Sequence, residues 1–144
     1  MKRILPAIFI FFTLNAFAQN ANDWTTYSEN DTVKIQWKYK NCIYSDHFDS
    51  EYVILEITNK INKELTIDWQ GQLWYDDKCI NCETVNEENR KQIIIPAASV
   101  TEGKCITNNS LRIFSKFTEN LDKMPGVNKI TALTKFELTN IKIK

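Results

Sequence analysis

Residues 33–40 read VKIQWKYK, with Val33, Ile35, Trp37 and Tyr39 alternating with Lys34, Gln36, Lys38 and Lys40. Successive side chains of a β-strand point to opposite faces, so this period of two places four apolar side chains on one face and three lysines and an amide on the other. A strand built this way is wet on one side and must bury the other against a second layer.

The same reading extends along the chain. Val53, Leu55 and Ile57 form a second inward row ending at Asn59. Leu65, Ile67, Trp69, Leu73 and Tyr75 form a third, with Gly71 where a bulge or a close backbone approach fits. The stretch from Asn59 to Glu64 then reads as a hairpin loop between those two strands. Ile93–Ile95 is a short strand stopped by Pro96, Val100–Ile106 another, and Leu111–Phe117 a further one after the turn-forming Asn108 and Asn109. Met124, Pro125 and Gly126 punctuate the last connection. Phe136 and Leu138 share a face, Ile141 and Ile143 continue out of step, and the slip at Asn140 predicts a bulge. Seven or eight short strands without a convincing amphipathic helix predict an all-β fold, an antiparallel β-sandwich with a barrel as the alternative.

The N-terminus predicts export. Lys2 and Arg3 precede an apolar run from Ile4 to Phe12, and Ala16-Phe17-Ala18 supplies an A-x-A cleavage pattern. The run is about half the roughly 20 residues a membrane span needs, which suits a signal peptide over residues 1–18. A polar segment, residues 19–31, leads into the sandwich domain, residues 32–144, and no membrane span is expected after cleavage. Cleavage removes two of 18 basic residues and leaves all 18 acidic ones, so the mature chain is nearly neutral. That balance argues against nucleic acid as a partner, which would need a clustered basic field. The expected location is the periplasm or the extracellular space.

Four cysteines, Cys42, Cys79, Cys82 and Cys105, stand in the mature region. An even number in an exported domain reads as two disulfides with three possible connectivities. If the second and third strands form a hairpin, Cys79 or Cys82 falls near Cys42, which favours one of them pairing with Cys42 and the other with Cys105. Cys79-Ile80-Asn81-Cys82 also has the spacing of a redox C-x-x-C or of half a tetrahedral zinc site. The former needs a lowered thiol pKa at a helix N-terminus, and the latter needs thiolates that an oxidising compartment removes.

The chemistry for catalysis is thin. The single histidine, His47, lies among Asp46, Asp49 and Glu51 and reads as a loop residue, and there is no G-x-S-x-G. Adjacent carboxylates such as Asp76 and Asp77 point apart in extended chain and read as a solvated turn. No catalytic residue, cofactor or metal site is assigned, and the chain reads as a non-enzyme. Trp24, Tyr44, Tyr52 and Trp74 fall off the inward rows, and aromatic side chains left partly exposed on a sandwich stack on sugars or anchor a protein partner.

A strand ending in EITN, the polar KINKEL, the strand after it, then IIIPAASVTEGKC and the terminal TKFELTNIKI together resemble exported bacterial immunoglobulin-like sandwich proteins over residues 52–144. The resemblance implies an immunoglobulin-like, non-catalytic interaction or structural module of the cell envelope, with an envelope protein or a glycan as partner. It carries over no functional residue, and the Cys, Trp, Cys order of antibody domains is absent because Cys42 follows Trp37. A thiol–disulfide or metal-binding protein using Cys79 and Cys82 is the alternative.

Overall fold

The computed structural model describes residues 23–83, 89–106 and 109–144; the predicted signal peptide and Asn108 lie outside them. Nine strands follow in chain order: β1 Thr25–Glu29, β2 Val33–Cys42, β3 Ser50–Asn59, β4 Leu65–Tyr75, β5 Lys78–Cys79, β6 Arg90–Ile95, β7 Val100–Glu102, β8 Arg112–Phe117 and β9 Leu133–Ile143. All pairings are antiparallel and divide the strands between two sheets. Among the described residues no helix is long and apolar enough to cross a membrane.

In the first sheet β2 lies between β1 and β3, and the far edge of β3 is shared end to end. β7 pairs with Glu56–Thr58, and β8 pairs with Ser50–Ile54. In the second sheet β4 is central, with β9 along one edge and β6 and β5 sharing the other. The alternation read from residues 33–40 fixes how the sheets meet. Val33, Ile35, Val53, Leu55 and Ile57 of the first sheet face Leu65, Ile67, Trp69, Ile95, Leu133 and Leu138 of the second in one buried cluster. Full burial of each such aliphatic side chain contributes about 1.5–3 kcal/mol. Trp37 meets Phe136 edge to face at 5.4 Å between the sheets, and the Tyr27 hydroxyl accepts from the Leu138 amide at 2.8 Å. The arrangement is all-β and sandwich-like.

Three expectations need correction. The stretch after Asn59 is not a hairpin loop: β3 pairs with β2 along its whole length, and the chain then crosses to the other sheet to begin β4. Buried Asn59 organises this crossing, its Nδ2 donating to the carbonyls of Lys63 at 2.7 Å and Pro96 at 2.9 Å while its Oδ1 accepts from the Ile61 amide. Gly71 sits in regular ladder with open space where a Cβ would lie; the irregularities of β4 fall between Asp68 and Gln70 and between Trp74 and Tyr75. The strand expected over Val100–Ile106 stops at Glu102; Gly103 leaves the β7 ladder, donates its amide to the Leu55 carbonyl at 2.9 Å and packs where a Cβ would overlap the Leu111 carbonyl and approach Ile54 Cγ2 to 3.1 Å. The slip at Asn140 is present as a register shift opposite Asp68–Gln70, with Asn140 at φ 52°.

Two strands were not foreseen. β1 forms within the polar segment and pairs with β2, so the sheet begins before residue 32. β5 closes a two-residue hairpin on β4 through Asp76 and Asp77, at φ 47° and 65°, the doubly positive geometry that suits strand twist.

Candidate ligand groove and the cysteine pairs

The cysteines pair as Cys42 with Cys105 and Cys79 with Cys82. Neither expected cross-pairing of Cys42 with Cys79 or Cys82 forms. The reason lies in parity and in the crossing after Asn59. Cys42 shares its face with Lys38 and Lys40, the side of the first sheet turned away from the core, whereas Cys79 and Cys82 belong to the second sheet's edge. Cys105 stands in the connection from β7 to β8, which runs along the same edge as Ile54, so its bond to Cys42 fastens that connection to the sheet. Ile54 is thereby buried on the side of β3 opposite to Val53 and Leu55.

Cys79 and Cys82 close a tight loop on the β4 edge. Asn81 between them does the work of a strand residue: its Oδ1 accepts from the Leu73 amide at 2.9 Å and its Nδ2 donates to the Gly71 carbonyl at 2.8 Å. Ile80 and Cys82 are exposed. Neither cysteine stands at a helix N-terminus, the environment that lowers a thiol pKa. Among the described residues no three His, Cys, Asp or Glu side chains come together in a way that suits a metal ion. His47 is exposed, stacks on Tyr44 with ring centroids 4.0 Å apart and pairs its Nδ1 with Asp46 at 2.7 Å.

The four aromatics fall into two groups. Trp24 and Trp74 are each covered by a lysine, Lys38 at 4.1 Å and Lys135 at 4.3 Å from the ring centroids, on different sheets. Tyr44 and Tyr52 come together. The Arg112 guanidinium lies 4.4 Å above the Tyr52 ring, and its Nη1 donates to the Tyr44 hydroxyl at 2.9 Å. Burial, reinforced by a hydrogen bond with Tyr44, holds the Tyr52 hydroxyl above the usual tyrosine range, so it stays protonated at neutral pH.

A β-bulge builds this grouping. Glu51 pairs with Lys116 but Tyr52 pairs with Phe114, leaving Ser115 as the extra residue. Ser115 is buried and donates to Glu51 at 2.9 Å. The step sets Phe114 opposite Tyr52 and Arg112 opposite Ile54, and the Tyr52 and Phe114 rings meet edge to face at 5.7 Å. The Tyr75 hydroxyl, arriving from the other sheet, donates to the Phe114 carbonyl at 2.6 Å. Burial, with the nearby Tyr52, pushes that hydroxyl up to about 12.

Together Tyr52, Lys91, Asn109, Ser110, Arg112 and Phe114 line an open groove of about 550 Å³. Its size falls in the range of small-ligand sites, and its lining mixes aromatic faces with a few polar groups. Arg112, Phe114 and Lys91 were not singled out from the sequence. Residues 111–117 read as a strand, but only knowledge of its partner and of the bulge would place Arg112 and Phe114 beside Tyr52.

No family model, no curated protein and no solved structure matches the chain.

Proposed function

We propose that the protein is an exported, non-catalytic binding module of the bacterial cell envelope, an immunoglobulin-like sandwich that holds its ligand in the groove beside Arg112. The observation that carries this reading is the groove itself: Tyr52, Phe114 and Arg112 brought together on the first sheet by the β3–β8 register and its Ser115 bulge, with Lys91 of β6 reaching the same groove from the second sheet. Two disulfides suit an oxidising compartment, and the N-terminal 18 residues have the pattern of a signal peptide.

A second reading has its own observation, the Cys79–Cys82 disulfide with Cys82 exposed, which fits a thiol–disulfide exchanger. One experiment separates the two. Isotope-labelled protein purified after export is titrated with fractionated envelope extract and, separately, with a glutathione redox buffer, while amide shifts are followed. Saturable shifts at Tyr52, Arg112 and Phe114 support the binding module. Silence there, with Ile80–Cys82 responding to mild glutathione, refutes it and leaves the thiol reading. Intact mass of the same preparation is expected to begin at Gln19 and to lack the four hydrogens of two disulfides.

A further inference from the structure

We infer that the groove takes an acidic saccharide, a pyranose carrying a carboxylate, an inference that rests on the binding-module reading above. Recognition of such a ligand makes three demands: fixed cationic donors for the carboxylate, an aromatic surface for the C–H faces of the ring, and neutral polar groups for its hydroxyls. All three are present in one lining.

The cationic demand is the most telling. Among the described residues a number of surface cations have a carboxylate partner close by, as Lys34 and Lys60 do with Glu29, Lys38 with Glu102 and Lys129 with Asp76. Arg112 and Lys91 line the same groove, and among the described residues neither is paired with a carboxylate. Arg112 is also held in place. The Tyr52 ring supports one flat side of its guanidinium and Tyr44 takes one of its five N–H donors, which leaves the remaining donors of a rigid fork for an anion. A guanidinium fixed in this way gives up little rotamer freedom on binding a carboxylate.

The neutral part of the lining completes the match. The Asn109 Oδ1 already accepts from the Leu111 amide at 2.9 Å, so its NH₂ is the group left to donate to a hydroxyl, and Ser110 offers one further hydroxyl. Phe114 supplies the apolar surface, beside the Tyr52 ring that carries Arg112. A bare inorganic anion would leave these rings and amides without a role, and a neutral sugar would leave two cations without a partner.

The test is calorimetric and amide-shift titration of the protein with digalacturonate, with cellobiose as its neutral counterpart and with inorganic phosphate. Digalacturonate is expected to give saturable shifts at Tyr52, Asn109 and Phe114, and to bind at least about tenfold more tightly than either of the others. Arg112→Gln is expected to weaken it by about 10- to 100-fold, the range of a lost charge-assisted hydrogen bond. Lys91→Gln, at an exposed strand position that leaves the core untouched, is expected to weaken it several-fold and to reduce its salt dependence. Equal binding of cellobiose would overturn the acidic ligand while leaving the binding module standing. Equal binding of phosphate would overturn the saccharide. Silence of the groove toward all three would overturn this inference alone, since the binding-module reading is judged by the envelope-extract titration.

Discussion

Removing the two disulfides one at a time should give very unequal losses of stability. Cys42 and Cys105 are separated by 63 residues, Cys79 and Cys82 by 3. The chain-entropy relation for closing a loop gives about 4 kcal/mol for the long link and about 2 kcal/mol for the short one at 25 °C. Burial widens the gap. Cys42 is 1% exposed, so Cys42→Ala with Cys105→Ala also loses packing on the outer side of β3, whereas Cys82 is exposed and its removal uncovers little. Against the 5–15 kcal/mol that hold a typical domain folded, the long link is a large share and the short one a modest share. Urea unfolding followed by tryptophan emission checks this, since Trp69 is buried between the sheets and reports on loss of the core. The Cys42→Ala/Cys105→Ala protein should unfold at clearly lower urea than Cys79→Ala/Cys82→Ala. If the Cys79→Ala/Cys82→Ala protein is the less stable of the two, the account of Cys42–Cys105 as the structural tie is wrong.

Three further outcomes follow from the structure. Asp68 is buried on β4 and accepts from Lys144 at 3.0 Å and Gln92 at 2.5 Å, contacts that hold its carboxyl below the usual aspartate range. A lowered folded pKa adds stability above the ordinary value near 4 and loses it as pH falls through the depressed one. Asp68→Asn should therefore flatten the acid limb of a plot of Tm against pH, and an unchanged limb would contradict this role. Tyr75 has the opposite sign for an acid: its raised value favours the protonated form, so its contribution is complete below pH 10 and lost toward about 12. Absorbance titration at alkaline pH should show a late-ionising tyrosine that Tyr75→Phe removes. Gly103→Ala forces a methyl group against the Leu111 carbonyl and Ile54, and should cost about 1–3 kcal/mol by urea denaturation, whereas Gly71→Ala, into open space, should cost well under that.

The strands that carry the core were legible because their alternation is strict. Residues 33–40, 53–57 and 65–69 supply eight of the twelve residues of the buried cluster, although Tyr39, at the end of the first row, is exposed, and the slip at Asn140 announced a bulge that is present. Pairing was not legible in the same way. A period of two says which face a residue occupies but not which strand lies beside it, so β3 and β4 read as a hairpin although they belong to different sheets. The disulfide expectation inherited that error. Its correction was already implicit in parity, since Cys42 is in step with Lys38 and Lys40 rather than with Trp37. The groove was half visible: Tyr44 and Tyr52 stood out as aromatics off the inward rows, but Arg112, Phe114 and Lys91 come to them only through the β3–β8 register and the approach of the second sheet's edge. β1 was hidden because both its faces are largely wet, which removes the alternation that marks a strand.

The nested order of the two disulfides, with the second and third cysteines joined inside the span of the first and fourth, bears on how the protein is made. Wherever thiols are oxidised in the order they emerge from a translocation pore, Cys42 meets Cys79 before Cys105 exists to compete for it. The sequential product, Cys42 with Cys79 and Cys82 with Cys105, is the pairing that the finished sheets keep apart. A chain oxidised in that order would have to exchange its first disulfides to reach the nested pairing, and its yield in an exporting host would then track the supply of a disulfide isomerase more closely than the supply of oxidising power.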